Sequence, residues 1–372
     1  MKNLKLVTTS NIGRYITFLK KGEFIISDKT YQPKVKSYHY QINEKFLGNI
    51  TEIKLDVKSK LSTKIIKNQR LKRSHYNRLE PHLKIMSKEF LKMKFDYSKA
   101  KEWIENNPTD EQKKLSYLTS IDQIEDERFR YFKRNKTNKR LDTNITNLKS
   151  DLRQFIKGDL VNIDVKNSQP LILGIGIDAI INERDTLCPL LHHPFTLKTF
   201  GVKRIKHILN FRQNEEKSKM ANLKMYFNSV KKGTLYDDFI DKYTGNIERD
   251  DVKDIMFKVL FSKNIDYNKR SKFIPYNKEK KVFNSVYPFV YEIVKIFKNK
   301  DNKKLPIYLQ KIESYLFIDC ITKELVENGI IPFTIHDSVM VKKQDKEKTI
   351  EIINKVFIEQ VGIVPKLKIE KV

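Results

Sequence analysis

Leu160-Val161-Asn162-Ile163-Asp164-Val165 is a short β-branched run that carries a carboxylate at its end. It reads as a buried strand, and the fold is decided by what surrounds it. Asn167-Ser168-Gln169-Pro170 turns the chain, and the apolar stretch from Pro170 to Ile181 reads as a helix. Further on, Arg249 to Phe261 contains neither Gly nor Pro and reads as a second helix. A long helix is expected over Pro306 to Asn328, with Pro306 near its start and Gly329 at the C-cap position. Ile330–Ile335 and Val339–Lys342 are two short strands around His336-Asp337-Ser338, a hairpin pattern. Lys346 to Gln360 is amphipathic, and Val364 to Ile369 reads as a last strand. Upstream, residues 1–60 show β-like runs at Gly22–Ser27 and Gly48–Val57. Residues 61–125 read as helical and basic, with a break and helix start at Asn107-Pro108-Thr109-Asp110. Strands and helices alternate irregularly, so the expected class is α+β with helical additions.

Composition narrows the function. Lys and Arg outnumber Asp and Glu by 74 to 46 in 372 residues, a formal charge of +28. The basic residues run along the whole chain, among them Lys64, Lys67, Arg70, Lys72, Arg73, Arg128, Arg130 and Lys133. That distribution favours nucleic acid over a membrane surface as partner. The same excess of Lys, with Asn and Ile, also follows from an A+T-rich genome. The hydrophobic fraction of 39% is too high for a disordered chain. Two Cys, Cys188 and Cys320, exclude a disulfide framework. Neither a signal peptide nor a membrane span is expected, and a reducing cytoplasmic setting follows.

Two aspartates stand out. Asp164 ends an apolar strand and Asp337 sits at the tip of an apolar hairpin, both poor places for a carboxylate unless something pairs with it. A divalent metal supplies that pairing, and two carboxylates can hold two Mg²⁺ ions for phosphoryl displacement. Taken singly, Asp164 also reads as a helix cap and Asp337 as an ordinary turn residue. Arg249, Lys253, Phe257 and Phe261 are spaced by four on one helix and form a stripe of two cations and two rings. Such a stripe offers charge to a triphosphate and a face to a base, or is simply core next to solvated charge. Cys188 with His192 and His193 lacks the second pair that a zinc site needs. Gly174-Ile175-Gly176 reads as close helix packing, and Asp237-Asp238 as a solvated turn.

In combination these segments resemble the family A polymerases of the bacterial DNA polymerase I type, and the related phage and mitochondrial single-subunit RNA polymerases. Asn162-Ile163-Asp164 with Ser168 and Gln169 is similar to motif A, where the first catalytic Asp ends a palm strand. Arg249, Lys253, Phe257 and Phe261 follow the spacing of motif B, the fingers helix. Thr334-Ile335-His336-Asp337-Ser338 resembles motif C, which is His-Asp-Glu in the DNA enzymes and His-Asp-Ser in the RNA enzymes. Arg140, Thr143, Asn144 and Asn147 fall in a segment similar to the one that contacts primer and template in the DNA enzymes. Leu309, Gln310 and Glu313 resemble the start of that family's Gln-bearing helix. The motifs occur in the family's order between Arg140 and Lys342. Departures are clear: Phe261 stands where the family has Tyr, Ser262 where it has Gly, and Gln169 where the DNA enzymes have Glu.

The resemblance implies a right-hand polymerase with an antiparallel-sheet palm, helical fingers and a basic, mostly helical thumb. Its divisions would be a β-rich region over 1–60, the thumb-like region over 61–135, palm over 136–175, fingers over 176–300 and palm again over 301–372. It implies Asp164 and Asp337 as ligands of two Mg²⁺, with Mn²⁺ able to substitute. It implies Arg249, Lys253, Phe257, Phe261 and Gln169 at the nucleotide, with Lys253 also catalytic. Arg140, Thr143, Asn144, Asn147, Gln310 and His336 would meet a primer-template duplex. No acidic cluster of a proofreading exonuclease is evident in residues 1–135, as would suit a small replication polymerase of a mobile element or virus. The competing expectations are a single-subunit RNA polymerase or primase, and a non-catalytic nucleic-acid-binding protein that kept the fold.

Overall fold

The computed structural model describes residues 12–27, 40–46, 75–107, 110–181, 213–265, 274–299 and 301–372. The chain divides into two compact units, Met1–Leu79 and Glu80–Val372. In the first, helix α1 (Ile12–Lys21) precedes a hairpin of two three-residue strands, β1 (Ile25–Ser27) and β2 (Tyr40–Ile42). The region expected to be β-rich is therefore helical over much of its described part, and Gly48–Val57 lies outside the described residues. The early helix was missed because Gly13 and Thr17 are weak helix formers. Thr17 Oγ1 instead bonds back to the Gly13 carbonyl at 2.8 Å.

The second unit is α+β. It begins with helices α2 (Pro81–Leu91), α3 (Tyr97–Asn106) and α4 (Glu111–Glu125). Asp96 and Asp110 cap the last two by accepting from Lys99 N and Lys113 N. A small hairpin of β3 (Phe132–Arg134) and β4 (Leu141–Thr143) runs into the one-turn helix α5 (Asn144–Asn147). Strand β5 (Leu160–Val165) follows, then helices α6 (Ser168–Ile181), α7 (Gln213–Lys232), α8 (Leu235–Lys242) and α9 (Arg249–Phe261). Next come α10 (Asn277–Val286), α11 (Pro288–Phe297), α12 (Lys304–Ser314) and α13 (Thr322–Glu327). The chain closes with β6 (Phe333–Ile335), β7 (Ser338–Lys342), α14 (Lys346–Val361) and β8 (Leu367–Lys371).

The four strands β6-β7-β5-β8 form one antiparallel sheet, with β7 and β5 in its centre. Along β5, Val161, Ile163 and Val165 are buried while Asn162 and Asp164 face the other side. This is the two-residue period of a strand with one dry face. Two expected strands start late, at Phe333 and Leu367. Pro332 and Pro365 precede them and have no N–H to give to a ladder. Between α12 and α13 the helix widens to a π-helix over Tyr315–Ile321. His82 Nε2 lies 2.8 Å from the Ile318 carbonyl within that stretch, and Arg134 clamps Glu80 and Asp319 at 2.6 Å each. The helices before the sheet share a core with it: Phe90, Ile104, Ile121, Leu152, Leu160 and Met340 belong to one buried cluster. On the other side α6 lies tight against α7, where a Cβ on Gly174 would come 2.9 Å from Val230 Cγ2. That is the close helix packing expected of Gly174. Among the described residues no helix is long and apolar enough to cross a membrane.

Candidate active site

A pocket of about 700 Å³ collects residues from seven separate segments. Its sheet wall carries Asp164, Gln169, His336 and Asp337, joined by Arg140, Gln310 and Glu313. Its helix wall carries Arg249, Lys253, Phe257 and Phe261, with Tyr236 beside them. Ten of the thirteen residues singled out from sequence thus line one cavity.

Strand pairing brings the two aspartates together. Asp164 lies opposite Ser338 in the β5–β7 register, and Val165 N donates to the Asp337 carbonyl at 3.2 Å. Burial pushes the Asp164 carboxyl up to about 8, and the neighbouring Asp337 adds to the rise. Asp337 is also raised by burial, against the pull of Arg140. Glu313, 0% exposed on α12, is pushed up to about 7 by burial and then by Asp337. It pairs with Arg140 at 2.5 Å and accepts from Gln169 Nε2 at 3.3 Å. His336 is driven down to about 4, first by burial and then by Arg140, so its ring is neutral. Its Nδ1 is buried and finds no partner among the described residues.

Backbone strain clusters here. Lys139, Asn167 and His336 have φ of 65°, 55° and 56°, the left-handed region that costs a non-glycine residue about 1–2 kcal/mol. Each immediately precedes a pocket residue, namely Arg140, Ser168 and Asp337. His336-Asp337 is a two-residue turn between β6 and β7, and the Asp337 carbonyl in that turn meets Val165 of β5.

The helix wall is built differently. Asp251 and Glu248 close a capping box at the start of α9, and Asp250 and Asp251 favour the positive end of its dipole. At the other end the buried Lys298 donates to the Val259 carbonyl, and burial brings its pKa down to about 7. Arg249 pairs with Asp237 and stands over the Tyr236 ring at 5.3 Å, while Lys253 pairs with Asp250 at 2.7 Å. Phe257 is 61% exposed and stacks on Phe261, ring centroids 4.6 Å apart and planes at 21°.

Three expected contacts lie elsewhere. Thr143 caps α5 in a capping box with Thr146. Asn144 is buried, accepting from Tyr131 N at 2.8 Å and donating to the Gln123 carbonyl at 3.0 Å. Asn147 Nδ2 donates to the Tyr131 hydroxyl. None of the three lines the pocket. Asp237 and Asp238 occupy the first turn of α8 rather than a loop, and Thr234 donates to Asp238 at 2.9 Å. Cys188, His192 and His193 lie outside the described residues.

Sequence reasoning passed over Tyr236 and Lys368 as pocket residues. Lys368 faces Asp164 across the β5–β8 ladder, a neighbour that only strand register reveals. Among the described residues no three His, Cys, Asp or Glu side chains gather as a metal group. Two adjacent carboxylates raised by burial still fit Mg²⁺, whose octahedral shell keeps waters and substrate phosphates and needs few protein ligands.

No family model and no curated protein matches the chain. Among solved structures it is similar to the POL domain of Pol1 from M. smegmatis, determined in complex with DNA primer-template and dNTP. The sequences are 12% identical, 70% of this chain is covered and the TM-score is 0.31. The chain spans about half of that structure, 51% of its length. A likeness at this level fixes neither a family nor an activity.

Proposed function

We propose that this protein is a template-directed nucleotidyltransferase, a small DNA polymerase of the family A kind without a proofreading site. It would have a right-hand architecture in which the β6-β7-β5-β8 sheet is the palm, α7 to α11 the fingers and α2 to α4 part of the thumb. The observation that carries the proposal is that Asp164 and Asp337 share one pocket with the cation and ring stripe of α9.

Asp164 and Asp337 would hold two Mg²⁺ ions, which supply activation of the primer 3′-hydroxyl and charge for the triphosphate. Arg249 and Lys253 bind the phosphates. Their present partners are exposed carboxylates, and such pairs are worth only about 0–1 kcal/mol, so a polyphosphate displaces them readily. Lys253 Nζ then stands where it can give a proton to the departing pyrophosphate. Phe257 and Phe261 stack under the incoming nucleotide and the templating pair. Gln169 lies along the sugar, and Arg140, Gln310 and His336 meet the primer-template. The +28 charge holds duplex phosphates elsewhere.

One observation favours a second reading. Ser338 stands where the DNA enzymes carry Glu, and its hydroxyl donates to the Ile335 carbonyl at 3.1 Å. That leaves the carboxylate set of the RNA enzymes. Primer extension with deoxy- and ribonucleotides in parallel, with and without Mg²⁺, separates the two. Extension with deoxynucleotides that needs Mg²⁺ supports the DNA reading. Use of ribonucleotides alone replaces it with an RNA polymerase.

A further inference from the structure

Glu313 is the most deeply buried carboxylate of the pocket, and it joins two segments that are far apart in sequence. One oxygen meets Arg140 at 2.5 Å, and the other accepts from Gln169 Nε2 at 3.3 Å. An ionised carboxylate only accepts hydrogen bonds. Paired with the Arg140 guanidinium, Glu313 therefore dictates which end of the Gln169 amide faces it. Nε2 turns to Glu313, and Oε1 turns away. That Oε1 is buried at the pocket and has no donor among the described residues. A buried acceptor left so is costly unless a ligand supplies the missing donor. The neighbouring Asn167 Nδ2, Ser168 Oγ and Arg140 Nε are orphaned in the same way.

We propose that Glu313 is a positioning residue for sugar recognition, holding Gln169 so that its Oε1 accepts a hydrogen bond from the 2′-hydroxyl of the incoming nucleotide. This rests on the nucleotidyltransferase reading, which places the sugar along Gln169. Two effects then oppose each other at one position. The bulk of Gln169 crowds a 2′ substituent, while its oxygen rewards one that can donate. Selection between deoxy- and ribonucleotides is consequently weak, and selection between a donating and a non-donating 2′ group of similar size is strong. Neither Arg140 nor Gln169 alone accounts for this, because without Glu313 the amide has no reason to prefer one orientation. Glu313 touches no reacting atom in this reading; it acts on the sugar through Gln169.

The test compares nucleoside triphosphates carrying 2′-hydroxyl, 2′-fluoro and 2′-hydrogen in template-directed addition, by kcat/KM, at mildly alkaline pH. Wild type should use 2′-hydroxyl over 2′-fluoro by roughly tenfold, the value of one hydrogen bond to a buried acceptor. In Glu313→Gln, whose amide can also donate, the ratio should fall close to one. Gln169→Ala should give the same ratio, and adding Glu313→Gln to it should change nothing further. The exchanged pair, Gln169→Glu with Glu313→Gln, restores an acceptor at position 169 and should restore the preference. Should Glu313→Gln not fold, Gln169→Ala and the exchanged pair carry the comparison. Equal use of 2′-hydroxyl and 2′-fluoro by wild type, or an unchanged preference in Glu313→Gln, overturns this inference and leaves the nucleotidyltransferase reading intact. Absence of template-directed addition by wild type, or addition that survives Asp164→Asn, overturns that reading and this inference with it.

Discussion

The two walls of the pocket spend their charge in opposite ways. On the sheet side Asp164, Asp337, Glu313 and His336 are withdrawn from water, and burial presses each toward its neutral form. On the helix side Arg249 and Lys253 are half exposed and tied to carboxylates that are themselves in solvent. Phe257 is left uncovered. The first wall is fixed before any ligand arrives, at the cost of desolvation and of three strained backbone positions. The second is a loosely held set of contacts that a ligand can take over. A site that must orient reacting groups but still admit and release a charged substrate needs one wall of each kind.

Lys253→Ala strikes the helix wall where the effect should be largest. Loss of a proton donor and a phosphate contact should lower kcat/KM for nucleotide addition by roughly 10²- to 10³-fold. The folded state should be nearly unshifted, because the pair with Asp250 is exposed. Lys253→Arg, which keeps the charge, should recover KM more than kcat. Full recovery of both kcat and KM by Lys253→Arg would show that charge alone matters there.

The sheet wall should announce itself through pH. The folded pKa of Asp164 lies near 8 against an ordinary value of 3.8, so its contribution to stability is fully present below about pH 4 and is lost as pH rises through about 8. Metal-free protein should therefore lose stability in denaturant titrations between about pH 5 and about pH 8, and Asp164→Asn should flatten that slope. Added Mg²⁺ should restore stability to wild type near pH 8 and leave Asp164→Asn unmoved. An identical slope in the two proteins would remove the buried-carboxylate half of the comparison.

Much of this arrangement is legible without coordinates, and the limit is physical. Leu160–Val165 and Arg249–Phe261 were delimited from sequence because each has an unbroken local pattern with a turn or cap at its ends. The hairpin at His336-Asp337 shows for the same reason. Lys368 was passed over, because its place opposite Asp164 depends on a ladder between strands far apart in sequence. Glu313 is matched in sequence only as part of a Gln-bearing helix, and its full burial against Arg140 and Gln169 shows only in the packing. Thr143, Asn144 and Asn147 matched a motif, but their side chains are taken up by capping and by Tyr131 and Gln123. The π-helical widening at Tyr315–Ile321 answers to His82 and Arg134, and no local signal marks it.

Smaller effects sharpen the boundary between the walls. Phe257→Ala should cost nucleotide use roughly tenfold, the value of one lost stacking partner, with stability nearly unchanged because the ring is exposed. A drop in stability without loss of nucleotide use would return Phe257 to a packing role. Thr143→Ala should lower stability by about 1 kcal/mol, as expected for a lost cap, and leave primer-template affinity where it was. Weaker binding at unchanged stability would extend the site to that turn after all.

The central claim is that Asp164 and Asp337 form one reactive centre served by α9. It is tested most directly by Mg²⁺-dependent extension of a labelled primer on a template, with primer-template binding measured on the same proteins. Wild type should extend, while Asp164→Asn and Asp337→Asn should each fall by at least roughly 10³-fold and bind the duplex as before. Extension by either variant at near wild-type rate would contradict the account.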